Sequence, residues 1–230
     1  MRKKSFFETP LFAFFGKLAD LVWLNMLTIL SCIPILTAGA AITACHYAMN
    51  KIRQEESYVT QSFRRGLKEN IHRTILLFLF IGMCHSATIG MFFVVPFAFQ
   101  GFLLVFLKAF IVLFEIGFLM LTAWVFPLQA RFSYSTQNLL ISSFLLAIQY
   151  PLRTIGMLLL WVPPIAILMS LKVSWYVVFL FFGISIPVFL SSKIYDSVFA
   201  DLEEKIREKN TAINANESLS DKELDDNSKE

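Results

Sequence analysis

Between Leu11 and Lys193 the chain is a series of apolar runs, and one stretch alone interrupts them with dense charge: Lys51, Arg53, Glu55, Glu56, Arg64, Arg65, Lys68, Glu69 and Arg73. A helix needs about 20 mostly apolar residues to cross a hydrocarbon layer of about 30 Å. The first run, residues 11–49, is 39 residues long and so holds more than one helix. Pro34 stands near its middle with Thr37-Ala38-Gly39 after it. Proline removes a helix donor and turns the preceding residue away from helix. The pattern therefore predicts a helix over 11–33, a turn over 34–39 and a shorter helix over 40–51, together a proline-broken hairpin.

Two further spans follow, 74–95 ended by Pro96 and 102–126 ended by Pro127, with only residues 98–101 between them. So short a link predicts a tight antiparallel pair. Residues 133–150 put Leu139, Leu140, Phe144, Leu145 and Ile148 on one side, with Gln137, Asn138, Ser142, Ser143 and Gln149 elsewhere. That is the pattern of an amphipathic lead-in helix, halted by Pro151. Spans over 152–171 and 175–191 complete the set, with Pro163, Pro164 and Pro187 as kinks that neighbouring helices must satisfy. The expected fold is all-α: a polytopic transmembrane helical bundle of five to six membrane helices.

Composition removes the soluble alternative. Hydrophobic residues make up 57% and charged residues 16% of the chain, against about 45–50% and about 25% in soluble domains. Cys32, Cys45 and Cys84 all fall in apolar runs without a CxxC pair, which makes them small buried hydrophobes. Ile42-Thr43-Ala44-Cys45 resembles a lipoprotein processing site, but it comes late, and Lys17 and Asp20 interrupt the apolar core such a signal requires.

Charge divides the chain and orients it. Residues 201–230 carry ten acids against five bases, a balance of −5 that leaves +8 for residues 1–200. The expected organisation is one transmembrane domain over 1–200 and an acidic cytoplasmic tail over 201–230, disordered from about Asn210 for want of apolar residues. Lys and Arg collect in cytoplasmic segments. The 50–73 loop has six (Lys51, Arg53, Arg64, Arg65, Lys68, Arg73), 127–153 has Arg131 and Arg153, and the C-terminal flank has Lys193, Lys205 and Arg207. The opposing turns have only Lys172. A hairpin in the first run also places the basic start, Arg2, Lys3, Lys4 and Lys17, on that side, so both termini are expected in the cytoplasm.

A carboxylate at mid-bilayer costs at least ~2.5 kcal/mol on insertion scales, so intramembrane charge marks a candidate site. Glu115 lies thirteen residues past Phe102, and His85 lies twelve before Phe97 at nearly the same depth in the preceding helix. The two can meet as a proton relay or as the wall of a polar ligand site. The plainer reading, preferred on sequence, is a neutral Glu115 bonded to Ser86, Thr88 or Thr122 that ties helices together. Asp20 and Asn25 are five apart, about 140° around a helix, and need separate partners; Asn25 reads as an interhelical hydrogen-bond donor. Thr37, Gly39 and Thr43 beside Pro34 resemble the broken helices of transporter sites, with a simple re-entrant turn as the competing reading. Lys108, six residues into its span, snorkels to the outer headgroups. His46, His72 and His85 are scattered, and there is no HExxH, no Walker loop and no GxGxxG. No enzyme, cofactor or metal is therefore expected, and a self-powered pump is excluded. The bases at 64–73 lie between two spans, where anionic lipid headgroups rather than nucleic acid are the natural partner.

One further pattern carries information beyond topology. Asn25, Cys32-Ile33-Pro34-Ile35-Leu36-Thr37-Ala38-Gly39-Ala40, Tyr47, Glu55-Glu56-Ser57-Tyr58-Val59, Ser62-Phe63, Lys68-Glu69-Asn70 and Pro127-Leu128-Gln129-Ala130-Arg131-Phe132 together resemble the YesL family. That resemblance spans roughly residues 10–195; Ser57 departs from the glycine expected after the paired acids, and the acidic tail lies outside it. It implies a bacterial integral membrane protein of unknown molecular function, from a family whose genes often lie near carbohydrate ABC-transporter operons. The expected role is a non-catalytic accessory or regulatory protein of carbohydrate uptake. Its contact surface is expected on the 50–73 loop, through Arg53, Glu55, Glu56, Tyr58, Arg64, Arg65, Lys68 and Asn70, with a sugar permease as partner. The alternative is a small transporter or channel using the Pro34 break and the His85/Glu115 level.

Overall fold

The computed structural model describes residues 10–54, 58–170 and 172–227, with side chains over 14–54, 58–170 and 172–211. Arg2, Lys3, Lys4, Glu55, Glu56 and Ser57 lie outside the described residues. The fold is all-α, with no strand among the described residues. α1 (Pro10–Cys32) leads through a single 3-10 turn (Ile35–Thr37) into α2 (Ala38–Arg53). α3 (Val59–Ala98), α4 (Gly101–Arg131), α5 (Thr136–Gln149) and α6 (Pro151–Met169) follow, then α7 (Val173–Phe182) and α8 (Ser185–Asn227).

Among the described residues four helices are long and apolar enough to cross a membrane: α1 from Phe14, α3, α4 and α6. α7 with the start of α8 makes a fifth if the bent pair is one span. α2, at 16 residues, is about 24 Å long and does not join them. The count is thus four or five where the run lengths suggest five to six. α2 instead folds back along α1: Leu24 packs in one core with Ala44, Cys45, Ala48 and Met49. Both ends of the broken hairpin therefore face the same way.

The dense charge at 51–73 does not form a loop. α2 runs to Arg53 and α3 begins at Val59, so most of the segment is helix. Its signal is an amphipathic period hidden by the number of charges. Val59, Ser62, Phe63 and Gly66 are buried, while Arg64, Arg65, Lys68, Glu69, His72 and Arg73 are exposed on the other face. Gly66 is needed there, because a Cβ at this position would sit 2.9 Å from Tyr47 on α2.

Prolines also act differently from expectation. Pro96 and Pro127 lie inside α3 and α4 rather than ending them, as apolar helices tolerate when only the last turn loses a bond. The α3–α4 link is Phe99 and Gln100, with Gly101 at φ +69°, a left-handed backbone that glycine adopts freely. Pro187 does not kink its helix at its own position. Its ring and missing N–H disrupt the turn reaching back four residues, and the chain bends by 45° between Phe182 and Ser185.

The packing is uneven along α3 and α4. Residues 124–130 of α4 are all buried, whereas no residue of 101–123 is, and none of α3 over 82–94. α5 buries Leu139, Ser143, Leu146 and Ala147 and leaves Ile141, Phe144, Leu145 and Ile148 exposed, so its apolar side is turned outward apart from Leu139. The chain divides into two compact units, Met1–Ser192 and Lys193–Glu230, where composition places the boundary at residue 200. In the second unit α8 stays helical through Asn227, including residues that composition assigns to a disordered tail; Asp201/Lys205 and Glu203/Arg207 are spaced to support such a helix.

Candidate functional site

The structure brings His85 and Glu115 together midway along the α3–α4 pair. His85 Nδ1 lies 2.8 Å from Glu115 Oε1 and Nε2 lies 3.1 Å from Thr122 Oγ1. The Thr88 hydroxyl donates to the second carboxyl oxygen of Glu115. The Thr122 hydroxyl has one proton for two neighbours, the Phe118 carbonyl at 2.7 Å and His85 Nε2, and the Nδ1–Oε1 contact joins imidazole and carboxyl by a hydrogen bond in a layer where an isolated charge is costly. Side-chain exposures of 19% and 23% leave an edge of the pair open. Thr88 and Thr122, which sequence reasoning had as alternatives to His85, join it in one network. Lys108 lies 4.8 Å over the Phe92 ring.

The Pro34 break is closed upon itself. Thr37 Oγ1 is 2.6 Å from the Ser31 carbonyl and 2.8 Å from that of Pro34, and the Thr37 N–H donates to Pro34 at 2.9 Å. The Ser31 and Pro34 carbonyls and the Thr37 hydroxyl and N–H are thus bonded within the turn. Gly39 is buried for packing, since a Cβ there would lie 2.5 Å from the Cβ of Phe78. Its missing side chain lets α3 approach α2 closely at Phe78. Neither Thr37 nor Gly39 is brought near His85 or Glu115 by any described bond.

Asn25 is the interhelical hydrogen-bond donor that the sequence suggests, with partners that the sequence does not reveal. Its amide donates to the carbonyls of Phe179 at 3.0 Å and Leu180 at 2.7 Å. Its carbonyl accepts from the N–H groups of Ile184 at 2.8 Å and Ser185 at 2.9 Å. One side chain thus spans the α7–α8 break with four bonds. Proline spacing could have found the break at Gly183, but not the partner, which is more than 150 residues away.

The residues of the charged segment separate into two groups. Arg64, Arg65 and Lys68 stand exposed on α3, with Arg65 Nε 2.8 Å from Glu69, and Tyr58 at the start of the helix is 85% exposed. Arg53, also exposed, lies at the end of α2 and donates to Ser192 Oγ at 3.0 Å. Asn70 instead faces α4, accepting from Gln129 at 3.2 Å and donating to the Gly66 carbonyl. Sequence reasoning missed Gln129, and Trp124, whose ring N–H donates to Thr154 at 2.8 Å and joins α4 to α6. Among the described residues no group of His, Cys, Asp and Glu could hold a metal ion.

Residues 21–90, from α1 through the His85 turn of α3, match a family model described as a protein of unknown function, DUF624. No curated protein and no solved structure matches the chain.

Proposed function

We propose that the protein is a non-catalytic accessory or regulatory membrane protein of the YesL type, serving carbohydrate uptake through its exposed basic helix face. The observation that supports this reading is the first part of α3. Residues 59–73 add about 22 Å of helix before the apolar run begins. One face is buried against the rest of the fold and the other presents Arg64, Arg65, Lys68, His72 and Arg73. A rigid cationic ridge of this kind suits a cytoplasmic surface beside anionic headgroups and an acidic face of a permease. Asn70 ties the ridge to α4 through Gln129, and the contact surface is Tyr58, Arg64, Arg65 and Lys68, with the exposed Arg53 at the end of α2 beside them.

Transport by the protein alone draws on the His85–Glu115 pair, but the second element of that reading, an open break at Pro34, is closed by Thr37. Two experiments separate the readings. A photo-crosslinker at Lys68 in living cells is expected to capture a membrane permease, and purified protein in liposomes is expected to pass neither labelled glucose nor labelled oligosaccharides. Sugar flux from the protein alone, or no permease among the adducts, overturns the accessory role.

A further inference from the structure

A cavity of about 570 Å³, open on one side, lies between α2, α3, α4, α6 and the start of α8. It falls within the roughly 300–1,000 Å³ of small-molecule sites. Its walls are apolar, among them Phe78, Leu119 and Trp161, and its polar edge includes His46, His85 and Thr122. Three observations define what fits.

Among the described residues no Lys, Arg, Asp or Glu lines the space, so a phosphate or carboxylate would enter without a fixed counter-charge at a cost the apolar walls do not offset. The wall is hollow at Gly82, where an added Cβ would meet no heavy atom within 4 Å. The third observation concerns hydrogen-bond direction. The single proton of Thr122 goes to Phe118 or to His85, and a lone pair left on its oxygen can only accept.

The geometry points to a site for an uncharged lipid alcohol: an apolar chain between Phe78 and Trp161 whose hydroxyl donates to Thr122 Oγ1. Most of the walls come from α3, α4 and α6, helices long and apolar enough to cross a bilayer, and on this proposal the ligand enters from the membrane through the open side. This site is separate from the basic face of α3 and does not depend on the role given to that face.

The test uses the full-length protein in nanodiscs, with a hexadecanol analogue carrying a diazirine as probe and the matching palmitate analogue as comparison. Saturable labelling of α3 and α6 peptides is expected, competed by unlabelled hexadecanol and at least about tenfold above the carboxylate. Gly82→Trp, which fills the hollow, is expected to lower labelling by a similar factor. Leu113→Trp, on the outward surface of α4, is expected to leave it unchanged. Labelling that does not saturate, that is equal for alcohol and carboxylate, or that persists in a folded Gly82→Trp protein overturns the site. Should Gly82→Trp fail to fold, competition and the alcohol-to-carboxylate ratio on the unaltered protein decide the matter.

Discussion

Asn25→Leu is expected to lower the melting temperature in mild detergent by more than about 5 °C, which for a chain of this size corresponds to roughly 2 kcal/mol or more. At the membrane average of about 0.6 kcal/mol per interhelical bond, the four bonds of Asn25 already exceed 2 kcal/mol. The orphans raise the cost. Phe179 keeps a second partner, because its carbonyl also accepts from the Gly183 N–H. Leu180, Ile184 and Ser185 lose the described partner of a buried backbone group, at about 1–3 kcal/mol each before relaxation. The cause can be tested as well as the size. If Pro187 creates the break, Pro187→Ala restores a backbone donor, and the double variant Asn25→Leu/Pro187→Ala is expected to lose less than the sum of the single losses. A melting shift under about 2 °C for Asn25→Leu contradicts the bridging role.

Glu115→Lys is expected to be the most damaging change in the outer part of the α3–α4 pair, with Glu115→Gln nearly silent. A lysine at mid-bilayer costs about 2.5–3.5 kcal/mol on insertion scales, and it would stand 2.8 Å from a ring nitrogen that accepts or shares a proton rather than supplying negative charge. Glutamine keeps an acceptor and a donor at the same place without net charge. No residue of α4 over 101–123 is buried, so packing in this part of the fold compensates little if the network fails. Accumulation in the membrane fraction is the readout, expected to fall severalfold for Glu115→Lys and to be unchanged for Glu115→Gln. Equal accumulation of the two variants contradicts a structural latch. Glu115→Gln is also expected to leave adducts from Lys68 intact, whereas a proton relay would lose its function with that change.

What the chain discloses in advance depends on whether the cause is local. The Pro34 turn, the short α3–α4 link and the run lengths of α3, α4 and α6 follow from residues next to one another, and they are legible. The depth match of His85 and Glu115 is legible too, because two helices joined by a tight turn keep register along their length. The charged segment misleads because six bases look like a solvated loop, while the pattern that makes it helical is carried by Val59, Ser62, Phe63 and Gly66. Gly39 misleads for a related reason: a glycine after a proline looks like an ion-binding break, but its cause is Phe78, 39 residues away. Asn25 is the furthest from reach, since its partners are backbone groups created by a proline at the other end of the fold. Long-range packing leaves no period to read.

Everything functional rests on the basic face of α3 lying on the cytoplasmic side while the α3–α4 link lies outside. Cysteine placed at Arg65 or at Gln100, with Cys32, Cys45 and Cys84 replaced by alanine, can be treated in intact cells with a membrane-impermeant maleimide. Label is expected on Gln100→Cys at once, and on Arg65→Cys only after the membrane is permeabilised. Label on Arg65→Cys in intact cells contradicts the orientation, and with it the contact surface.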